Sequence, residues 1–122
     1  MFVSAAAECF TGVIKEDILP QMVDLEFTSV ELPLHETGFT WGKPSEVLAN
    51  FDHAVEVCRD ISRLSICAFS VDPGPWGGDY YKRFAACCKL AKSLRMVPMV
   101  VPAAELGTPF NEEIERLREL VR

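Results

Sequence analysis

Four times along this chain a short apolar stretch with strand character gives way, through a turn-forming segment, to a longer stretch whose apolar residues recur at helical spacing. This alternation restricts the fold sharply. Strands separated by whole helices cannot pair as tight hairpins, so they lie parallel and are joined by right-handed crossovers. The predicted strands cover residues 2–9, 29–34, 64–71 and 97–102, and the predicted helices 15–27, 44–61, 80–94 and 111–122. Four such units are half of an eight-fold parallel barrel. The last helix meets no Gly, Asn or Pro that would stop it. The expectation is an α/β protein: a (β/α)4 half barrel with strand order 1-2-3-4 and all helices on the convex face, truncated relative to a full (β/α)8 parent.

The second predicted strand assigns the faces. Val30, Leu32 and Leu34 alternate with Glu31, Pro33 and His35, so the apolar set should pack on the helices and the polar set look inward. On the third strand the inward set is read as Cys67, Phe69 and Val71. A half barrel with apolar side chains on its inner face, and two unpaired edges, should self-associate, so a homodimer is expected. Residues 72–79, rich in Gly and Pro around Trp76, form the most loop-like segment. Pro98 implies light pairing at that point of the fourth strand. Asn111 is read as the N-cap of the last helix, with Glu112 and Glu113 suited to the positive end of its dipole.

At 122 residues, 49% apolar and 25% charged, the chain is the size and composition of one soluble domain. A net charge of −6 argues against nucleic acid and anionic membrane as partners. The five cysteines, none in C-x-x-C spacing, read as free thiols in a reducing compartment. Cys87 and Cys88 point about 100° apart on a helix, so one should be core and the other partly exposed. The amino terminus lacks a basic region and meets Glu8 early, and no apolar run reaches the ~20 residues of a bilayer span. A cytoplasmic location is the expectation.

The run Ser29-Val30-Glu31-Leu32-Pro33-Leu34-His35-Glu36 resembles the sugar phosphate isomerase/epimerase family, the xylose isomerase-like group of TIM barrels. The resemblance continues through Tyr81-Lys82-Arg83-Phe84, Leu90-Ala91-Lys92 and the segment from Val100 to Asn111. It spans the chain but only the amino-terminal half of the family's barrel. It implies metal-dependent isomerisation or epimerisation of a small sugar or sugar phosphate in the full barrel. In that family the divalent metal (Mn, Mg or Zn) and the proton-moving carboxylates sit on later strands. A metal-assisted proton shift needs those groups. The expectation for this chain alone is therefore no metal, no complete catalytic set and little or no activity.

Active sites of parallel barrels form at the carboxyl ends of the strands. Glu8, His35, Glu36, Asp72 and Glu105 fall at or near such ends. Polar residues also belong at any strand–loop junction, so position alone does not assign them a role. Glu31 is charged and mid-strand; it calls either for an ion-pair partner within the wall or for a sugar hydroxyl. His35 can hold a hydroxyl or a metal, or simply face solvent. His53, within the second helix, is read as structural. Trp41 and Trp76, in the loops after strands two and three, can stack on a sugar or pack against neighbouring loops. The candidate substrate-binding set is Glu8, Glu31, His35, Trp41, Asp72, Trp76 and Glu105. The Gly-Pro-Trp-Gly-Gly run lacks the Lys-Ser/Thr ending of a phosphate-cradling loop. A zinc endonuclease on the same fold would want histidines at the third and fourth strand tips, where Asp72 and Glu105 stand, and a basic groove. A flavodoxin-like sheet would need a phosphate loop after strand one, for which residues 8–12 are poorly suited. A non-catalytic binding or self-associating module is the remaining alternative.

Overall fold

The computed structural model, which describes residues 3–95 and 97–121, shows four strands in one wholly parallel sheet, in the order β1-β2-β3-β4. The strands are β1 (Ala5–Ala6), β2 (Ser29–His35), β3 (Ser65–Asp72) and β4 (Met99–Val100). The helices are α1 (Lys15–Asp24), α2 (Pro44–Ala49), α3 (Phe51–Arg59), α4 (Tyr80–Ser93) and α5 (Phe110–Val121). The order and the parallel sense follow the alternation of elements in the sequence, and one face of the sheet carries the helices. No helix among the described residues is long and apolar enough to cross a membrane.

Register fixes which side chains share a face. Leu32 lies beside Phe69 and Leu34 beside Val71, and all four are buried in one cluster with Ile18, Met22, Val47, Val55, Cys87 and Leu90 from the helices. Pro33 lies beside Ser70, His35 beside Asp72, and Glu31 between Ala6 and Ala68. The assignment of faces on β2 is therefore as predicted, but that on β3 is reversed. Phe69 and Val71 do not look into the concavity; they are the centre of the helix-side core, each fully buried. An irregularity in the ladder between Val30 and Glu31 shifts the register. The concave face consequently carries Glu31, Pro33, His35 and Ser70 between small neighbours, without Phe69 and Val71, so of the two grounds for expecting a dimer the unpaired sheet edges remain.

Glu31 has no ion-pair partner among the described residues, contrary to the expected pair within the wall. The reason is its neighbours. Alanines on both adjacent strands leave the half-buried carboxylate room to stay hydrated, so no compensating charge is required.

Pairing of β1 with β2 stops at Ala6–Glu31. Beyond it, the loop after β2 folds back along the vacated edge. Trp41 N–H donates to Pro33 O at 2.8 Å, and His35 N–H donates to Thr40 Oγ1 at 3.0 Å. Pro33 thus stands where its missing N–H costs no ladder bond.

Boundaries differ from the sequence reading in places, each for a local reason. The first strand shortens because residues 7–9 form a 3-10 turn; its predicted start, Phe2, lies outside the described residues. The predicted second helix is two. Asn50 leaves helical geometry (φ −140°, ψ 79°), and its side chain accepts the His53 N–H, opening α3 afresh. The last helix starts one residue before Asn111, whose predicted cap role falls away: Glu112 and Glu113 N–H groups both donate to Pro109 O. Its predicted last residue, Arg122, lies outside the described residues. The fourth strand contracts to two residues between Pro98 and Pro102, neither of which has an N–H to give.

Three connections from helix to strand share a feature. Glu26, Arg63 and Arg95 take φ of 67°, 67° and 72°, ahead of β2, β3 and β4 respectively. At the first, Phe27 N–H donates to Met22 O and Glu26 N–H to Val23 O, the paired bonds of a Schellman stop. Glycine suits that position better. The left-handed conformation costs an ordinary residue about 1–2 kcal/mol, of which glycine's freer unfolded chain gives back part. Exposed Glu26→Gly should raise the unfolding free energy by about 0.5–1 kcal/mol in urea titration. A loss of stability would mean the Glu26 side chain has a role beyond its backbone.

The thiols divide by burial. Cys58 and Cys87 are buried, whereas Cys9 and Cys88 are exposed. Burial pushes the Cys58 thiol up to about 11, and burial, with Cys88 and Glu36 nearby, pushes Cys87 to about 12. At about pH 8 an alkylating reagent should modify Cys9 in the folded protein and reach Cys58 and Cys87 only after unfolding. Peptide mass mapping reads this directly; Cys87 alkylated as fast as Cys9 would contradict the packing.

Candidate functional site

At the carboxyl ends of β2, β3 and β4 the following loops, together with the first turns of α5, enclose a cleft of ≈ 720 Å³. Its walls bring together residues distant in sequence. Asp72 ends β3; its Oδ1 accepts the Gly74 N–H at 3.1 Å, turning the chain into the loop that presents Trp76. Gly74 has φ +93°, and a Cβ there would lie 3.3 Å from the Glu36 side chain, so the turn requires glycine. Glu36 steadies the other side. Burial raises its pKa, but the Ser45 N–H donating to Oε2 at 3.0 Å, with Arg83 and Lys43 nearby, brings it below the usual carboxylate value.

Trp76 is the aromatic centre of the cleft. Its ring lies 4.6 Å from Tyr80 and 5.0 Å from Tyr81, and the Arg116 guanidinium sits 5.6 Å over it. Half of the residue remains exposed. Arg116 links α5 to the sheet. Its Nε and Nη2 donate to Glu113 at 2.8 and 2.7 Å, Nη2 also to Pro102 O, and Nη1 to the Tyr80 hydroxyl. Both side chains of the pair are largely buried. The bond from Arg116 holds the Glu113 carboxyl below its ordinary range, and the Glu113 bond holds Arg116 above its own. Burial raises the Tyr80 hydroxyl, against the pull of Arg116.

Of the residues singled out from the sequence, Asp72, Trp76 and Glu105 line this cleft. Glu8 is exposed in the 3-10 turn after β1. Glu31 and His35 lie on the concave face below the cleft, where His35 Nε2 is 3.2 Å from Ser70 Oγ. Trp41 turns to the helix side. It borders a groove of ≈ 500 Å³ between α1 and the segment after α3, with Lys15 Nζ 5.0 Å above its ring. His53 is exposed on α3. The sequence reading missed Tyr80, Glu113 and Arg116. The available signal was the Glu113–Arg116 spacing of three on one helix face and the tyrosines opening a helix directly after the Trp76 loop.

Among the described residues no group of three His, Cys, Asp or Glu side chains is placed to hold a metal ion. The described residues therefore do not fit the divalent metal that the family resemblance implies for a full barrel. The cleft can bind through one aromatic face, several carboxylate acceptors and the polar edges of Thr37 and Thr108.

Fold and cleft define a parallel α/β protein of four βα units, consistent with half of a (β/α)8 barrel. Compared with protein-family models, with curated proteins and with solved structures, the chain matches none.

Proposed function

We propose that this chain is the amino-terminal half of a sugar phosphate isomerase/epimerase-like barrel, and that its own part in that function is to bind a small sugar or sugar phosphate at the carboxyl ends of its strands. The observation that carries the proposal is the half-exposed Trp76, backed by Tyr80 and Tyr81 and facing a cleft rich in carboxylate acceptors. A flat apolar ring beside hydrogen-bonding oxygens matches a sugar, which offers C–H groups on one face and hydroxyls at its rim. The resemblance of residues 29–36 and 100–111 to the family supports the same reading. Binding without turnover is the expected behaviour of the chain by itself, since a proton shift between two carbons needs a base at each and an electrophile for the enediolate oxygen.

NMR titration of the labelled chain with free pentoses, hexoses and their monophosphates tests the proposal. Saturable shifts should gather at Asp72, Trp76, Glu105 and Arg116. A panel that leaves these amides unmoved would sink it.

A second reading, a self-associating module, is favoured by one different observation. Phe110, Leu117 and Val121 on α5, and Val100 on the edge strand β4, are exposed apolar residues. Sedimentation equilibrium at micromolar concentration separates the readings: a dimer disrupted by Val121→Glu would favour association through this edge.

A further inference from the structure

We infer that the cleft takes the unphosphorylated sugar and rejects the phosphate ester, an inference that rests on the sugar-binding reading above and narrows it. Among the described residues the cleft is lined by four carboxylates, from Asp72, Glu105, Glu112 and Glu113, against one guanidinium, from Arg116. That guanidinium is already committed. Of the five N–H groups of an arginine, Arg116 uses Nε and both Nη2 hydrogens on Glu113 and Pro102, and one Nη1 hydrogen on Tyr80. No lysine lines the cleft.

The α5 amino terminus could otherwise attract an anion through its free N–H groups and dipole. Here Glu112 and Glu113 occupy its first turn and already supply the negative charge. Glu113 Oε1 accepts the Ala104 N–H as well, taking up a donor from the loop. Within the cleft lining the groups that recognise a phosphate are thus satisfied internally, and Arg83, which is not part of that lining, is turned behind Gly74 onto Pro73 O at 3.2 Å.

What remains suits a neutral polyol. Glu105 and Glu112 have no side-chain hydrogen bond or ion pair among the described residues, and so can accept hydroxyl protons. Asp72 keeps one carboxylate oxygen beyond that engaged by Gly74. Trp76 supplies the stacking face. A dianionic ester brought among these carboxylates meets repulsion that salt screens only in part.

The test uses the full chain with Trp41→Phe, so that the intrinsic fluorescence reports Trp76. Free pentoses and hexoses are titrated beside the matching monophosphates and inorganic phosphate, at low and high salt. The free sugar should bind at least about tenfold tighter than its monophosphate, with the gap narrowing as salt rises. Glu105→Gln with Glu112→Gln should narrow it further, and Trp76→Ala, which removes the fluorescent reporter and is therefore followed by titration calorimetry, should weaken the free sugar. Monophosphate binding as tight as, or tighter than, the free sugar overturns this inference while leaving the sugar site standing. Failure of both ligands to bind removes the sugar site itself. Unchanged affinity for the free sugar in a folded Trp76→Ala variant places binding elsewhere and overturns the inference too.

Discussion

Replacing Phe69 with alanine should lower the unfolding free energy by about 3–5 kcal/mol. Against the roughly 5–15 kcal/mol that holds a domain of this kind together, the variant should be at or near the edge of folding. The basis is position. Phe69 is fully buried at the middle of β3, beside Leu32 on one strand and Met99 on the other, and its N–H donates to Pro98 O at 2.9 Å. Strands on both sides and the helix layer above hinder collapse of the space left behind, so the cavity cost adds to the lost transfer energy. Phe69→Leu keeps most of the volume and should cost less than about half as much. Urea titration with an unchanged slope provides the measurement. The experiment also discriminates between the two faces. Were Phe69 turned into the concavity, as the sequence reading has it, its removal would be close to neutral.

The second large effect belongs to Arg116. Helix α5 has no buried residue. Its polar attachment runs through Arg116, to Glu113 within the helix and to Tyr80 and Pro102 outside it, and through Glu113 to the Ala104 N–H. Arg116→Ala removes the link, leaves Glu113 without its cation and takes support from Trp76. The amides of α5 should exchange at least about tenfold faster while those of β2 and β3 keep their protection. Arg116→Lys should restore little, because a point charge cannot make the forked contact with Glu113. Acid should act in the same way. The folded-state pKa of Glu113 is depressed from its ordinary 4.5. Its contribution is therefore fully present above that value and fades as pH falls through the lower folded value. Exchange measured across that acid range should show α5 loosening before the sheet. Uniform loss of protection across the whole chain would show that α5 is an integral part of the core.

Much of the architecture was legible because its signals are redundant. Four alternations of strand and helix character leave few topologies, and the Val30, Leu32, Leu34 stripe assigns the faces of β2 without help. The third strand was harder. Residues 65–71 are nearly all small or apolar, so period-two alternation gives no preference, and the register irregularity beside Glu31 decides the matter in three dimensions. Helix ends were obscured for a different reason. Glu26, Arg63 and Arg95 stop or follow their helices in a conformation usually given to glycine, so the stop is imposed by the strand that follows rather than written in the residue. In the cleft, Asp72, Trp76 and Glu105 could be found because strand ends are where such sites form. Arg116 was harder: its spacing of three from Glu113 is visible in the sequence, but its place in the cleft depends on α5 folding back over Tyr80.

The polar concave face bears on how this chain responds to dilution. A half barrel with an oily interior would be a protein whose folding and association are one equilibrium, losing structure as its concentration drops. With Glu31, His35, Ser70 and Asp72 in the hollow and the apolar side chains on the helix side, water can occupy the hollow at little cost. Unfolding midpoints should then be the same at nanomolar and micromolar protein. An assembly through the exposed Val100 at the β4 edge would extend the sheet sideways, as a wall is lengthened, rather than close two shells face to face.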